Sequence, residues 1–373
     1  MKKSSVFLII MFFSFLLSAD LIDIYKKGKI KLVPDLNFGK NTNWDEMFYK
    51  GIKSIAFASD GSFFATAMGG TSHSVFKFDK DGNFIKKFGR KGRGPGDLYF
   101  PLNLSILDNK YLLISEYATS RRISLFDLNG NFVKIIRTKN PVYDVVGLKQ
   151  GKIAILSESF SRRKNKSFKT VSVYLYGHSS KKMDQIFRDS FDYNFLPLLK
   201  YGYNVYINKT RDNHLIIGYS KTGDISISSI DGKNIKKFKT TIKLKKIDSE
   251  MKELYFKQIG KKSRNLPNLK GIIKFNKYLP PFEKIIIDSM GNILVFYNNG
   301  FEKAKELRFQ VYSAKGKYLC DSFFIVDKFK YDLYRWNMKF FKKSIFFIGV
   351  EDEKNKIFKI NLGKTSSAAI NKK

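Results

Sequence analysis

Three groups of arginines are the side chains in this 373-residue sequence best suited to gripping an anion: Arg90 with Arg93, Arg121 with Arg122, and Arg162 with Arg163. A guanidinium binds a carboxylate or phosphate through two parallel hydrogen bonds, a geometry lysine cannot offer. Tyr117 and Phe160 stand next to two of the pairs. The candidate ligand contacts are therefore Arg93, Tyr117, Arg121, Arg122, Arg162 and Arg163. The competing use of each arginine is an ion pair with an acid on a neighbouring element.

Other chemistry finds little support. The three histidines, His73, His178 and His214, are too far apart in sequence for a metal-binding pair. GYSKTG (218–223) has one residue too many for a nucleophile elbow. Asp79-x-Asp81-Gly82-Asn83 begins like a calcium loop but lacks the distal Glu. Cys320 is the sole cysteine, which excludes a disulfide framework and a thiolate zinc site. FGRKGRGPGDLYFP (88–101) concentrates glycines and cations as phosphate loops do. No Lys-Ser/Thr follows the glycines, however, and the stretch runs into Asp-Leu-Tyr-Phe-Pro, which cannot open a long helix. It reads as a connector. No catalytic residue, metal ligand or cofactor is assigned, and the reading is non-enzymatic.

The elements that must position these residues are repeated. A turn feeding a short apolar run recurs at 59–67, 108–116, 149–158, 211–220, 289–298 and 341–350, each time reading as a buried strand. A second pattern, in VFKFDKDGNFIKKF (75–88), SLFDLNGNFVKII (124–136), ISISSIDGKNIKKF (225–238) and FQVYSAKGKYLCDS (309–322), alternates apolar and polar residues around Asp-Gly, Asn-Gly or Lys-Gly. The Asp-Gly and Asn-Gly pairs predict type I′ hairpins. Gly82 and Gly130 stand 48 residues apart, near the length of a four-stranded propeller blade. The fold class is all-β: a six-bladed β-propeller of four-stranded antiparallel blades over roughly 52–101, 102–141, 142–200, 201–281, 282–326 and 327–364. The last unit is one strand short. GKIKLVPDL (28–36) is expected to supply its outer strand, burying Ile30, Leu32 and Val33 and closing the ring. An amphipathic helix near 248–260, capped by Asp248 and stopped by Gly260, interrupts the rhythm and reads as an edge cover.

FDKDGNFIKKFGRKGRGPGDLYFP (78–101) resembles the blade-to-blade connection of NHL-repeat-like six-bladed β-propellers, in the TolB-like superfamily. Phe88-Gly89, Gly92, Gly94-Pro95-Gly96, Phe100 and Pro101 occupy the places of that pattern. KYLPPFEKIIIDSMGNILVF (277–296) is similar to the entry to the fifth blade of secreted bacterial members. The resemblance implies loops converging on one face for binding. Some related propellers are channel-metal hydrolases or lyases, and others bind nucleic acid through a basic face.

The first 19 residues carry Lys2 and Lys3, an apolar run from Val6 to Leu17 and the small pair Ser18-Ala19, the layout of a signal peptide. The expected organisation is a signal over 1–19, the propeller over 20–364 and a disordered tail over 365–373. The mature chain is then a monomer, periplasmic or extracellular, without a membrane span, and anchored only if the signal is retained. Formal net charge is +36, which would suit an acidic partner. Lysines are nevertheless spread along the whole length, as a solvated surface would have them. The partner is read as a protein, peptide or glycan, since an exported protein does not meet intracellular RNA.

Overall fold

The computed structural model describes residues 21–48, 51–67, 73–116, 121–164, 166–177, 182–192, 202–260, 275–298, 306–326, 338–351 and 354–362. The expected signal at 1–19, the tail at 365–373, Tyr117 and His178 lie outside the described residues.

Six sheets form the expected blades. Blade 1 comprises β2 (Ile52–Phe57), β3 (Phe63–Ala67), β4 (Val75–Phe78) and β5 (Phe84–Phe88). Blade 2 comprises β6 (Pro101–Leu107), β7 (Tyr111–Glu116), β8 (Arg122–Asp127) and β9 (Phe132–Arg137). Blade 3 has β10 (Val142–Gly147), β11 (Lys152–Arg163), β12 (Lys166–Gly177) and β13 (Met183–Asp192). Blade 4 has β14 (Val205–Lys209), β15 (Leu215–Tyr219), β16 (Asp224–Ser228) and β17 (Asn234–Lys239). Blade 5 has β18 (Phe282–Ile287), β19 (Ile293–Tyr297), β20 (Glu306–Tyr312) and β21 (Tyr318–Ile325). Blade 6 has β22 (Lys339–Phe341), β23 (Ser344–Glu351) and β24 (Lys354–Asn361). The first strand of each blade lies innermost, beside the first strand of the next, with β22 returning to β2.

Core residues sort into six clusters, one in each seam between neighbouring blades. Successive side chains of a strand point to opposite faces. Thus Ile216 packs toward blade 5 while Ile217 packs toward blade 3. Strands buried on both faces read as unbroken apolar runs, which is why LIIGY and ILVFY show no alternation.

The hairpins between third and fourth strands differ from the expected type I′. Only the glycine is left-handed: Gly82, Gly130, Gly232 and Gly316 have φ of 87°, 80°, 83° and 74°. Gly82 N–H donates to Asp79 O at 3.2 Å, closing a type I turn, and the strand register shifts between Lys77 and Phe78. This is a turn plus bulge, the longer alternative to a two-residue loop. Its cause is the residue that opens it. The Asp79 carboxylate accepts hydrogen bonds from the backbone of Asp81 and Asn83 and from Asn83 Nδ2, and Asp127 holds Asn131 in a similar way, while Ser229 and Ser313 open the hairpins at Gly232 and Gly316. Those bonds occupy the oxygens that the calcium-loop reading would have needed.

The N-terminal segment closes the ring along a different route from the one expected. Lys29–Lys31 (β1) pairs in parallel with Phe323–Ile325 as a fifth strand of blade 5, not as the outer strand of blade 6. The chain then reaches blade 6 through a single bridge, Pro34 opposite Ile360, and a hydrogen bond from Asp35 N–H to Lys359 O at 2.7 Å. Proline has no N–H to extend a ladder, which limits that contact. Ile30 and Leu32 are buried as expected, but Val33 is 52% exposed. Beyond the bridge, Phe38, Trp44 and Phe48 fill the seam between blades 6 and 1. Phe38 meets Phe346 at 5.4 Å and Trp44 stacks on Phe78 at 5.1 Å. Upstream, residues 21–26 are helical, and Tyr25 packs on Phe309 in the seam between blades 5 and 6 while donating to Asp288 Oδ2.

The inserted helix, Ser249–Gly260, is capped by Asp248, whose Oδ1 accepts the Met251 N–H at 2.9 Å. Met251 and Tyr255 are its buried anchors. No helix among the described residues is long and apolar enough to cross a membrane.

If the belt seals the ring through its aromatics, Phe38→Ala and Trp44→Ala should each cost about 3–5 kcal/mol in urea unfolding. Leu36→Ala, at a 78% exposed position of the same segment, should change stability by about 0.5 kcal/mol or less. Equal effects at all three positions would contradict the belt.

Candidate functional site: the central channel

Each innermost strand is the edge of its sheet, so its outward amides and carbonyls need partners from elsewhere. Side chains of neighbouring blades supply them. Ser54 Oγ accepts the Leu104 N–H, Ser105 Oγ accepts the Gly147 N–H, Asn103 Nδ2 donates to Tyr143 O, and Asn208 Nδ2 donates to Ile285 O. Lys209 Nζ donates to Gly147 O near the opposite end of the channel. The inner strands are stitched together, and what remains between them is a cavity of about 450 Å³.

Four of the six inner strands share a further device. Their register against the second strand slips between Ile52 and Ser54, Pro101 and Leu104, Val142 and Asp144, and Phe282 and Lys284. A bulge re-aims side chains, and bulges gather beside active sites for that reason. Here they fall at the start of the inner strands, where the blade-to-blade connections arrive. Lys53, Asn103, Tyr143 and Glu283 sit in the bulges, with Asp144 and Lys284 immediately after. Lys339, the first residue of β22, joins them from blade 6.

The electrostatics of this mouth depart from those of a solvated surface. Burial raises the Asp144 carboxyl to about 6, against the opposing pull of Lys339, Lys284 and Lys53. Burial, reinforced by Lys339, lowers Lys284 to about 7. Burial also lowers Lys339, and it lowers Lys209 to about 8. Perturbed titration of several groups in one cavity is the usual mark of a functional site. The donor set fits an anion better than a cation. Among the described residues no three His, Cys, Asp or Glu side chains gather closely enough to hold a metal ion, and lysines stand where a divalent cation would be repelled.

The arginines read from the sequence are not brought together. Arg122 is buried, and its guanidinium grips Glu116 through two hydrogen bonds of 2.7 and 2.8 Å. It also donates to the backbone oxygens of Arg93, Gly92 and Asp97, pinning the connector between blades 1 and 2. Arg122 therefore has the competing, structural use, and a ligand would have to displace a buried ion pair to reach it. Within the connector, Arg90 Nε donates to Asp97 Oδ1 at 2.8 Å and Gly94 N–H to Asp97 Oδ2, so Asp97 organises the loop. Its carboxylate leaves no room for a Cβ at Gly92, whereas Gly89 and Gly96 adopt positive φ. Arg93 is exposed with its guanidinium over the Tyr99 ring, and Arg121 is exposed at a positive φ. Arg162 and Arg163 lie at the exposed tip of the β11–β12 hairpin. Ser220 of the GYSKTG stretch is buried, donating to Asn204 O.

Sequence reasoning missed the channel charges because each blade contributes one or two of them, dozens of residues apart. The signal was present. Lys53, Asp144 and the Glu283-Lys284 pair each interrupt an otherwise apolar inner-strand run.

Comparison with known proteins agrees with the architecture. The chain matches the family DUF5128, a 6-bladed beta-propeller, over residues 22–270. No curated protein matches it. Among solved structures, it is similar to a member of the DUF4221 family from Bacteroides vulgatus, at 15% identity and a TM-score of 0.52, covering 88% of this chain and 97% of that one. A streptogramin B lyase aligns at 12% identity and a TM-score of 0.43, covering 84% and 83%. Regucalcin from Agrobacterium tumefaciens, a calcium-binding protein, aligns at 11% identity and a TM-score of 0.46, covering 90% and 95%. At these identities the likeness is one of fold.

The shifted groups give stability a defined pH dependence. Lys284 binds its proton less tightly folded than unfolded. Between about pH 7 and 10.4 the unfolded chain therefore holds more protons, and stability rises with pH. Asp144 binds its proton more tightly folded, so it adds stability as pH falls through 6 toward about 4. Lys284→Met should be more stable than the parent at pH 7 and show a shallower rise from pH 7 to 10 in urea titrations. A parallel profile would mean that Lys284 is fully solvated.

Proposed function

Since the chain belongs to the six-bladed beta-propeller family DUF5128, we propose that it is an exported, non-enzymatic binding propeller that engages an acidic protein, peptide or glycan on the loop face. Export rests on the signal-like pattern of residues 2–19, and the NHL-like pattern of 78–101 supports a binding kinship. The observation that carries the reading is an arm on blade 3. Strands β11 and β12 each run 12 residues, twice the length of their counterparts in blade 2 or more. Their inner neighbour β10 stops at Val142, opposite Ser157. Glu158–Arg163 therefore extends past the inner strand by about 20 Å, at roughly 3.4 Å per residue.

The arm is built to hold its shape and to present charge. Near its base Lys169 is buried, with Nζ 2.8 Å from Glu158 and 3.2 Å from Asn204 Oδ1. Its tip exposes Arg162, Arg163, Lys164 and Lys166, and Phe160 is 59% exposed below them. Cations around an aromatic ring suit carboxylate- or sulfate-bearing partners through bidentate pairing with added apolar contact. The same face carries Arg90 and Arg93 on the first connector and the mouth of the channel.

Neutralising the tip (R162Q/R163Q/K164Q/K166Q) tests the reading. On immobilised polyglutamate and a sulfated glycan, the parent should need markedly higher salt for elution than the variant. A control of equal charge change on the outer strands (K86Q/K87Q/K236Q/K237Q) should elute near the parent. Equal losses in both variants would reduce the binding to bulk electrostatics and remove the arm from the account.

A further inference from the structure

The channel mouth carries a second recognition site of different scale. We propose that it binds a small ligand through an oxyanion group, carboxylate or phosphate, held between Lys53, Lys284 and Lys339. These lysines come from blades 1, 5 and 6, consecutive around the ring, and all lie at the loop-face ends of their inner strands. The cavity they share, about 450 Å³, falls within the ordinary size of small-molecule sites, roughly 300–1,000 Å³. Tyr143 and Tyr206 stand across the mouth, and Ile55, Val145 and Ile285 line its wall. A few converging polar groups on an apolar wall are what such sites present.

The argument for an anion is one of charge balance. Lysine on an inner strand costs stability that Ile or Val at the same place would not, and three such lysines around one cavity break the local rule together. The acids that face the cluster are Asp144 and Glu283. Three lysines, Lys53, Lys284 and Lys339, thus line the mouth against two carboxylates, of which Asp144 acts on Lys284 and Lys339 and Glu283 on Lys284. The mouth is therefore short of negative charge, which a bound carboxylate or phosphate supplies. Lys209 is a separate case because it lies at the far end of the channel, where its ammonium donates to Gly147 O.

Such binding is linked to protons. A bound oxyanion stabilises the ammonium form of Lys284, so complex formation near pH 7 should take up about half a proton, and less at pH 5.5 where Lys284 is already charged.

The site is independent of the blade-3 arm, and the experiment keeps the two apart. Calorimetric titration of the parent with citrate and with inorganic phosphate, at constant ionic strength, should give saturable binding by at least one probe. The enthalpy should vary with the ionisation enthalpy of the buffer. K53Q and K339Q should each weaken binding at least tenfold, and K284M should abolish the proton uptake. The arm-tip quadruple variant and the outer-strand control should bind as the parent does. Response to citrate alone identifies a carboxylate ligand, and response to phosphate alone a phosphorylated one. Absence of saturable binding by either probe, or an equal loss in the outer-strand control, overturns the proposal. Should one lysine variant fail to fold, the other and the buffer dependence still decide.

Discussion

A ring of sheets is stable only if its last sheet is sealed to its first, and in this chain the N-terminal segment takes part in that seal. Among the described residues blade 6 has three strands where the other five have four or more. Left so, it would present a sheet edge and two thinly covered seams to solvent and to other chains. The N-terminal belt compensates on both sides of blade 6 at once. Tyr25, Ile30 and Leu32 thicken the seam with blade 5, and Phe38, Trp44 and Phe48 thicken the seam with blade 1. Between them the bridge at Pro34 and the Asp35 amide cover part of the outer edge of β24. Aromatic side chains suit this task because each removes a large apolar area from water while restricting few torsions. The two ends of the sequence, some three hundred residues apart, are thus joined by packing more than by a ladder of hydrogen bonds.

Closure also decides what the centre can be. Once six inner strands are brought around one axis, each has an unpaired edge facing its neighbours, and serines and asparagines from adjacent blades satisfy much of it. Those short side chains fix the inner strands relative to one another. The bulges at Lys53, Asn103, Tyr143 and Glu283 then occur at one level, the loop-face end. Groups far apart in sequence become a single electrostatic unit because closure leaves them no other direction to face. This is why Lys284 and Asp144, from blades 5 and 3, act on each other's titration.

Architecture was legible in the sequence because a propeller repeats a local signal. Turn residues followed by an apolar run mark each second strand, and the six units stand where that count put them. The inserted helix was legible for the same local reason, in its cap at Asp248 and its spacing. What resisted reading was non-local. The choice between type I′ and a type I turn with a bulge depends on whether Asp79 captures the amides beyond it, which the dipeptide Asp-Gly alone does not say. The destination of β1 depends on edges some three hundred residues away, and Pro34, which has no N–H to donate, limits pairing with β24. Arg122 stands beside Arg121 and near Tyr117 in sequence, which suggests a ligand contact, whereas its carboxylate, Glu116, lies across a hairpin. The channel lysines were hidden among many others.

The excess of lysine itself divides into two populations with different physics. One is scattered over the exposed surface and includes the outer strands FIKKF and NIKKFK, whose residues are largely exposed and whose edges would otherwise invite pairing with another sheet. There Lys86, Lys87, Lys236 and Lys237 keep the rim soluble, and salt screens them within about 10 Å. A formal charge of +36 spread in this way along the whole sequence says little about a ligand. Lys53, Lys284 and Lys339 differ because protein surrounds them and water reaches them less, so their fields are screened less and act over the same cavity. Recognition by this chain is therefore expected to follow a few enclosed cations and one charged arm, with the diffuse charge of the rim setting solubility and the rate of encounter.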